Sequence, residues 1–490
     1  MGNFKPSKYQ KAVYTFIQKC KGNAVIDAVA GSGKSTTIVN ALKIIPANKR
    51  VLFLAFNKSI VEELKIKIGN LPNVDVKTLH SLGCSAIMKT FHSNVDGSKY
   101  LSYVNERIKS GVFSPTMDLL GEQKADWKSN ILMLIDLARV NLISTDRDIE
   151  DVAEKHNLML VDNEVDIVKK SIAWGENETD RIDFTDMIYF PNIKKLNLFR
   201  YDWVFIDECQ DLNAAQRNLF LQCVKPNGGR FIAVGDPKQA IYGFSGADAN
   251  SFKLLKEIPN TARLPLSICY RCDSSIIDLA KNIVPQIEAR PLAPMGEVNR
   301  DCKIEDVKDG DMILCRVTTP LVEFCMRYIS NGVKAYVKGR DIGENLINMI
   351  KKTNCKLMQD VFSRFQREQG RIIGKIVAKT HCSQAEAKEN NLYKVFEDKI
   401  KAIEIISEGL EKSSAVVNRI ESIFKDDQKS GICLSTIHKA KGLESDRVFI
   451  IREDKMFLKH CMMVPWMAEQ EYNLVYVAYT RAKHFLGFIK

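Results

Sequence analysis

The sequence predicts an α/β protein with parallel β-sheets, divided into two units that each carry a mainly helical insertion. Short apolar runs alternate with helix-like stretches in both halves of the chain, as in sheets built from strand–helix–strand repeats. A length of 490 residues also exceeds what one hydrophobic core usually organises. Hydrophobic residues at 45% and charged residues at 27% are ordinary globular values and argue against wholesale disorder.

The first half contains the apolar runs from which we predict the first sheet. Helical patterns begin near Lys34 and at 61–68, between the first three of these runs. We expect residues 1–87 and 191–263 to form the first unit, with 88–190 as an insertion of helical periodicity and mixed charge. The predicted strands are 23–28, 51–56, 74–79, 203–208 and 230–236.

The second half repeats this organisation. We expect the second unit to begin near Leu264 and to comprise residues 264–343 and 428–490. The polar stretch between them, 344–427, is rich in Lys, Glu and Gln and is predicted to be a helical insertion. The predicted strands are 311–317, 334–339, 431–437 and 447–451, with strand character again at the C-terminal end.

Charge and cysteine content set limits on the class of protein. The formal net charge of +11 fits a polyanionic partner, although a basic enzyme without such a partner would look the same. The thirteen cysteines are scattered, and the one close pair is Cys269 and Cys272. No second C-x-x-C completes a zinc site, so reduced thiols are expected.

Targeting signals are not evident in the sequence. No apolar run approaches the length of a membrane span, and the N-terminus has no signal-peptide core. We therefore expect a soluble, intracellular protein with no membrane partner, located in the cytoplasm or nucleoid, or a viral or phage protein acting in its host cell.

A glycine-rich segment, AVAGSGKST at 28–36, follows the first predicted strand and opens a helix. Glycines let backbone N–H groups approach phosphate closely, and a helix N-terminus favours an anion. We expect Lys34 to reach the β- and γ-phosphates of ATP and the Ser35 hydroxyl to ligate Mg²⁺. A plain glycine-rich turn would not explain why a helix begins there directly after a strand. The expected nucleotide-binding residues of this loop are Ala30, Gly31, Ser32, Gly33, Lys34, Ser35 and Thr36.

Two carboxylates end the predicted strand in VFIDECQD, 204–211. Asp207 is expected near the Mg²⁺ ion, and Glu208 is the candidate general base for the attacking water. An Asp-Glu pair at a strand end is often only solvated, and the phosphate loop earlier in the chain makes the catalytic interpretation specific.

A third candidate loop, VGDPKQAIYGFSGAD at 234–248, also follows a predicted strand. The amide of Gln239 is suited to bind a terminal phosphate or its attacking water. Tyr242 and Phe244 are either core residues, as aromatics usually are, or stacking platforms for the bases of a single strand.

With these motifs in place, the chain resembles superfamily 1 helicases of the UvrD/Rep/PcrA type. The strongest matches are DECQDLNAAQ at 207–216 and GDPKQAIYGFSGA at 235–247. The resemblance implies two RecA-like P-loop NTPase domains with parallel sheets, each with a helical insertion. Further matches, in the family's order, are LAFNKS at 54–59, TLHSL at 78–82, LSICYRC at 266–272, STIHKAKGLESDRVFI at 435–450 and YNLVYVAYTRAK at 472–483.

The resemblance assigns further residues to the nucleotide. Gln10 matches a glutamine that recognises adenine, and Tyr270 matches a tyrosine that stacks on the base. Arg271 and Arg481 match arginines that reach the γ-phosphate from the second domain, where guanidinium groups stabilise charge on the transferred phosphoryl group. Glu444 matches a residue near the ribose.

The resemblance also implies a track for single-stranded DNA and a reaction. Tyr242 and Phe244 lie at the junction of this track, although the family usually has Trp where Phe244 stands. The implied activity is an ATP-dependent DNA helicase or translocase that moves 3′ to 5′ and acts on single-stranded DNA and on junctions with duplex. The other matched positions on the track are Phe56, Asn57, Lys58, Thr78, His80, Thr436 and His438.

Two other functions remain compatible with parts of the sequence. An ATP-gated single-strand clamp, or a translocase without unwinding activity, would use the same catalytic residues. A simple P-loop kinase or GTPase would have no use for two γ-phosphate arginines so far along the chain from the phosphate loop.

Overall fold

A computed structural model gives the architecture of the protein. The residues it describes are 5–69, 71–115, 122–156, 158, 160, 163–241, 243, 250–426, 428 and 430–490. The chain divides into two compact units. One comprises Gly33–Ser267 with the described residues that precede Val29, and the other comprises Ile268–Lys490 with Val29–Ser32.

The strands of the first unit form one large sheet and one small sheet. They are β1 (Asn23–Ala28), β2 (Val51–Ala55), β3 (Val74–Thr78), β4 (Asn94–Val95), β5 (Arg181–Ile182), β6 (Trp203–Ile206), β7 (Arg230–Gly235) and β8 (Thr261–Leu266). The large sheet has the order β3-β2-β6-β7-β1-β8 with every pair parallel, and β4 pairs with β5.

Helices connect these strands and form the insertion. They are α1 (Lys8–Lys19), α2 (Lys34–Lys43), α3 (Lys58–Ile68), α4 (Leu79–Phe91), α5 (Lys99–Lys109), α6 (Glu122–Asn141), α7 (Asp146–Lys155), α8 (Glu164–Asn177), α9 (Asp186–Ile193), α10 (Ala214–Gln222) and α11 (Ser251–Glu257). The strands β1, β2 and β6 are almost wholly buried, as expected for a parallel sheet with both faces covered.

The second unit is built on another parallel sheet. Its strands are β9 (Ile268–Cys269), β10 (Glu288–Ala289), β11 (Glu297–Cys302), β12 (Met312–Cys315), β13 (Ala335–Lys338), β14 (Ile432–Thr436), β15 (Ser445–Ile451) and β16 (Ala482–Ile489). The large sheet has the order β11-β16-β15-β12-β14-β13, and all of its pairs are parallel.

The helices of the second unit lie mostly between β13 and β14. They are α12 (Ser274–Ala280), α13 (Thr318–Ser330), α14 (Arg340–Lys352), α15 (Met358–Thr380), α16 (Gln384–Glu389), α17 (Asn391–Ser407), α18 (Ser413–Ile423), α19 (Lys459–Met462) and α20 (Pro465–Tyr479). Among the helices that the structure describes, none is long and apolar enough to cross a membrane.

The α/β class with parallel sheets in two units is confirmed, but the expected start of the second unit is wrong. Leu264 lies inside β8, where it pairs with Ile26 of the first sheet. The edge strand β8 therefore extends the first sheet to Leu266, and the second unit begins after Ser267. The expected limits at 87/88, 190/191 and 343/344 fall within α4, α9 and α14, because these helices continue from the sheets into the insertions.

Candidate nucleotide and nucleic-acid site

Several functional candidates lie at the carboxyl ends of the parallel strands of the first sheet. This edge is where ligands bind in open α/β sheets. Phe56 follows β2, Thr78 ends β3, Asp207 follows β6 and Gln239 lies just beyond β7. The order of the strands, with β6 and β7 between β2 and β1, brings segments distant in sequence to one edge.

The phosphate loop connects β1 to α2. Gly31 and Gly33 have φ angles of +64° and +75°, in the left-handed region that favours glycine. The hydroxyl of Ser32 is buried, and within the described part of the chain it has no hydrogen-bond partner. A buried hydroxyl without a partner, next to a helix N-terminus, fits a loop that takes phosphate oxygens as its ligands.

Lys34, the first residue of α2, forms an ion pair with Glu208. Its Nζ lies 2.6 Å from Oε1 of Glu208, and both side chains are mostly buried. Burial alone would lower the pKa of Lys34, but the carboxylates of Glu208, Asp207 and Asp236 outweigh it and raise the pKa. The ammonium group is therefore held in its charged form where a polyphosphate would bind.

A hydrogen-bonded network extends from Glu208 to Gln239. Gln210 donates from Nε2 to Oε2 of Glu208 at 2.5 Å, and its Oε1 accepts the backbone N–H of Asp236 at 3.0 Å. The carboxylate of Asp236 accepts from Nε2 of Gln239 at 2.7 Å. Burial raises the pKa of Asp236 to about 6, although Lys34 opposes the shift. The network joins the loops after β6 and β7.

Gln10 is buried next to the phosphate-loop helix. Its Oε1 accepts the backbone N–H of Ser7, and its Nε2 donates to Oγ1 of Thr37 at 3.0 Å. Gln10 thus completes the N-terminal capping box of α1 and connects this helix to α2. These contacts hold the Gln10 amide in one orientation.

The candidates after β2 and β3 include helix caps. Asn57 caps α3, since its Oδ1 accepts the backbone N–H of Ile60, and Thr78 caps α4 through Ser81. The ring of Phe56 is 48% exposed. It lines a small cavity together with His80 and Asp207. Burial lowers the pKa of His80, so its imidazole is neutral at pH 7.

The compact unit that contains residues 268–490 also takes in Val29–Ser32 of the phosphate loop. Within it, the backbone N–H of Tyr270 donates to the carbonyl of Gly31 at 2.8 Å, and the N–H of Ala30 donates to the Tyr476 hydroxyl at 2.8 Å. A Cβ atom on Gly31 would lie 2.7 Å from Cβ of Arg271, so only glycine fits this approach. The ring of Tyr270 is 39% exposed.

Arg271 is held by its neighbours in the second unit. Its Nε donates to Glu444 at 2.7 Å, and its Nη1 donates to the carbonyl of Thr480 at 3.1 Å. Burial opposes ionisation of Glu444, but Arg271 and Lys483 lower its pKa. The two residues that sequence matching assigned to the γ-phosphate and the ribose therefore form an ion pair.

Arg481 is almost completely buried. Its Nε donates to the carbonyl of Val477 at 2.9 Å, and its Nη1 donates to the carbonyl of Leu443 at 3.0 Å. Its Nη2 donates to Oγ1 of Thr480. The guanidinium group is engaged by the end of α20 and by the loop before β15.

Thr436 and His438 lie at the end of β14. Oγ1 of Thr436 accepts the backbone N–H of Lys439, so it begins the turn that carries His438. Burial, with a contribution from Arg316, lowers the pKa of His438 to about 3. Tyr242 and Phe244, the two aromatic candidates of the third loop, lie outside the described residues.

Three residues of the site were not singled out from the sequence. Gln210 and Asp236 lie inside the matched motifs, so the signal was present, but the sequence does not reveal which motif residues contact each other. Tyr476 lies in the last matched motif and contacts Ala30. Ser35 and Asp207 remain the expected magnesium ligands, a pair that would leave other positions to water and phosphate oxygens.

The fold and the site define a class: a parallel α/β protein with a phosphate loop and an acidic strand end facing its lysine. Comparison with known protein families identifies the family within this class. The UvrD/REP helicase N-terminal domain matches residues 9–259, and the UvrD-like helicase C-terminal domain matches residues 333–490. The chain belongs to the UvrD/Rep helicase family.

Individual relatives are similar at low identity. F-box DNA helicase 1 of Gallus gallus is 23% identical over 94% of this chain and 46% of its own length. A probable DNA helicase II homolog of Mycoplasma genitalium is 27% identical over 55% of this chain and 41% of its own length. ATP-dependent DNA helicase PcrA of Bacillus subtilis is 24% identical over 55% and 38%. The chain spans less than half the length of these relatives.

Proposed function

We propose that this protein is an ATP-dependent DNA helicase or translocase that moves 3′ to 5′ along single-stranded DNA. The observation that carries the proposal is the buried ion pair between Lys34 and Glu208, joined through Gln210 to Asp236 and Gln239. This set supplies a cation for the phosphates, a carboxylate for the attacking water and an amide for the terminal phosphate.

The residues divide the work of ATP hydrolysis among them. Lys34 binds the β- and γ-phosphates, and its ion pair with Glu208 breaks when it does so. The released Glu208 carboxylate accepts a proton from the attacking water, which Gln239 orients. Ser35 and Asp207 would hold Mg²⁺, which would neutralise charge on the phosphate oxygens.

Arg271 and Arg481 stabilise the charge that develops on the transferred phosphoryl group. Arg271 must leave Glu444 and Arg481 must leave its carbonyl partners to do so. The cost of breaking these contacts is offset only when the triphosphate supplies stronger, charge-assisted ones. The arginines therefore couple nucleotide binding to rearrangement of the second unit. Gln10, Tyr270 and Glu444 contact the nucleoside.

The proposed DNA track includes residues at the carboxyl ends of β2, β3 and β14. Phe56 supports this role, because an exposed ring at a sheet edge is a stacking platform for bases. Neutral His80 and His438 bind by hydrogen bonds and do not contribute charge. Asn57, Lys58, Thr78, Tyr242, Phe244 and Thr436 complete the proposed track, and the partners are single-stranded DNA and its junctions with duplex.

Two measurements test this function. ATP turnover is measured alone, with single-stranded DNA and with RNA, and strand displacement is measured on duplexes with a 3′ or a 5′ tail. We expect stimulation by DNA and displacement only from the 3′-tailed substrate. Turnover without displacement would replace the helicase by a translocase or clamp, and turnover indifferent to nucleic acid would contradict the motor. Lys34→Ala is the inactive control, and Lys43→Ala on the exposed end of the same helix is its matched partner.

A further inference from the structure

Cys269 and Cys272 frame the two residues proposed to contact the adenine and the γ-phosphate. Cys269 ends β9 and Cys272 precedes α12, so Tyr270 and Arg271 form the turn between the thiols. Both cysteine side chains are fully buried. Among the described residues, no group of three or more metal-ligating side chains includes the pair, so a zinc site is not indicated.

The backbone of Cys272 already contacts the sulfur of Cys269 across this turn. The backbone N–H of Cys272 donates to Sγ of Cys269 at 3.5 Å. The neighbouring Cys272 thiol lowers the pKa of Cys269, with burial opposing it, whereas the neighbouring Cys269 thiol and burial raise the pKa of Cys272. Cys269 is thus the more acidic thiol, and Cys272 lies across the turn from it.

The carbonyl of Thr480 is one point at which the turn contacts the rest of the second unit. The carbonyl of Thr480 accepts from Nη1 of Arg271 at 3.1 Å and from the Cys272 thiol at 3.8 Å. Arg290 holds the same turn by donating to the carbonyls of Tyr270 and Cys272. A change in the bonding of Cys272 is therefore transmitted directly to the contacts of Arg271.

We propose that Cys269 and Cys272 form a reversible disulfide under peroxide and that this bond switches off the ATPase by fixing the turn that carries Tyr270 and Arg271. A disulfide removes the Cys272 thiol proton and with it the hydrogen bond to Thr480. It also shortens the S–S separation to about 2 Å and restrains the turn on both sides of Arg271. The effect on ATP turnover rests on the proposed function, whereas formation of the bond does not.

The reaction balances with a peroxide as the oxidant. The Cys269 thiolate attacks one peroxide oxygen, the O–O bond breaks, and Cys269 becomes a sulfenic acid. The hydroxide that leaves takes up the proton that Cys269 released on ionising and becomes the first water. The Cys272 sulfur then attacks Cys269, the S–O bond breaks, and the departing hydroxide takes the Cys272 proton as water. The two sulfurs lose two electrons and hydrogen peroxide gains them, which gives two water molecules in total.

Trypsin provides a direct readout of the bond, because cleavage after Arg271 separates the two cysteines. They fall in peptides 264–271 and 272–281, which remain joined only when the disulfide is present. The full-length protein is treated with hydrogen peroxide, its free thiols are alkylated, and the digest is analysed by mass spectrometry. DNA-stimulated ATP turnover is measured on the same samples before and after a dithiol reductant.

We expect the joined peptides in the wild type and a loss of turnover on the order of tenfold to a hundredfold, since small displacements of catalytic groups have effects of this size. The reductant should restore turnover. Cys272→Ser cannot form the disulfide but keeps a hydroxyl donor for Thr480, so its turnover should not fall on peroxide treatment. Cys272→Ala, which also cannot form the disulfide, provides a second variant. Cys20→Ser removes an exposed thiol and should behave as wild type.

Two results would overturn the proposal. One is the absence of joined peptides in wild type at a peroxide concentration that oxidises exposed Cys20. The other is joined peptides with undiminished turnover. The joined peptides report the disulfide independently of ATP turnover. A failure of the proposed function would therefore be seen separately, as absent turnover in the untreated protein.

Discussion

The backbone of Glu208 is in the left-handed region, with φ of +51°. For a non-glycine residue this conformation costs about 1 kcal/mol or more, and such residues cluster at functional sites. The conformation belongs to the sharp turn in which β6 ends, and the Glu208 side chain there meets Lys34. The strain is therefore linked to the position of the candidate general base.

Glu208→Gln should separate nucleotide binding from hydrolysis. The amide keeps the size of the side chain but cannot accept the proton of the attacking water, so turnover should fall roughly 10²- to 10⁴-fold. The affinity for ATP, measured by equilibrium titration, should be retained. Glu257→Gln, an exposed glutamate on α11, is the control and should leave both quantities unchanged. Wild-type turnover in Glu208→Gln would assign the general base to another residue.

The buried imidazole of His438 makes stability depend on pH. Its folded-state pKa is depressed to about 3, below the value of 6.5 that it takes when unfolded. Below pH 6.5 the unfolded chain therefore binds a proton that the folded chain does not bind. The free energy of unfolding falls as the pH falls below 6.5. Between pH 6.5 and 5 the loss from this one group is roughly 2 kcal/mol.

His438→Asn should reduce the acid sensitivity of the protein. Urea denaturation at pH 8, 6.5 and 5 measures it, and the variant should lose about 2 kcal/mol less than wild type between pH 6.5 and 5. His381→Asn, at an exposed position that ends α15, is the matched control. Identical pH dependence in His438→Asn and wild type would show that His438 is not held neutral.

At the scale of elements, most strands could be predicted from their runs of residues, but the edge strands β8 and β11 could not. β1 coincides with the predicted run at 23–28, and β2, β6 and β7 differ from prediction by one or two residues, because continuous apolar runs identify strands buried on both faces. β8 and β11 are edge strands with polar residues, and β8 contains Pro265, so neither has such a run. Their pairing partners come from distant parts of the chain, which composition does not reveal.

Gly31 connects the phosphate loop to the turn at Cys269–Arg271. Gly31→Ala should disturb this connection in two ways, through the positive φ angle and through a Cβ placed 2.7 Å from Cβ of Arg271 and 2.9 Å from Sγ of Cys269. We expect loss of ATP turnover and a destabilisation larger than the φ angle alone gives, which is about 1 kcal/mol.

Gly228→Ala isolates the contribution of the φ angle. Gly228 has φ of +78°, but a Cβ atom there would meet nothing within 4 Å. Thermal melting and ATP turnover of both variants give the comparison. Equal losses of stability with unchanged turnover would mean that the loop does not need the close approach.

The helical insertion of the first unit contains a buried ionic cluster. Arg139 donates to Asp183 and Asp186, and Lys99 donates to Asp186 at 2.7 Å. Arg139 and Lys99 are fully buried. The cluster joins α5 and α6 to the start of α9, which continues out of the insertion, so it fixes where the insertion begins and ends.

Arg139→Met should destabilise the first unit by about 3–5 kcal/mol, because it leaves buried carboxylates without their partner. Lys169→Met removes an exposed ion pair with Asp146 and should cost at most about 1 kcal/mol. Urea denaturation measures both. A loss in Arg139→Met no larger than in Lys169→Met would show that the cluster does not anchor these helices.

At the scale of the whole molecule, the sequence predicted candidate residues but not how their side chains pair. The motifs assigned Lys34, Glu208 and Gln239 from their positions after strands or in a glycine turn, and the family resemblance assigned Arg271 and Arg481. Their partners depend on the order of strands in the sheet, which short segments do not encode.

Arg481 shows this limit most clearly. Its expected contact with a phosphate stays a prediction, and in the structure it donates to backbone carbonyls. A resting contact of this kind depends on the local chain path, and a residue's motif position does not specify it.

The central proposal concerns the whole molecule: arginines from residues 268–490 stabilise the transferred phosphoryl group. Such contacts would make the second unit respond to the state of the nucleotide, as movement along a strand requires.

The most direct test is the DNA-stimulated turnover number and the ATP dissociation constant of Arg271→Ala, with Arg300→Ala as a control at an exposed ion pair. The account predicts that turnover in Arg271→Ala falls on the order of 10³-fold or more while ATP binding changes far less, and that Arg300→Ala matches wild type. Wild-type turnover in Arg271→Ala would contradict it.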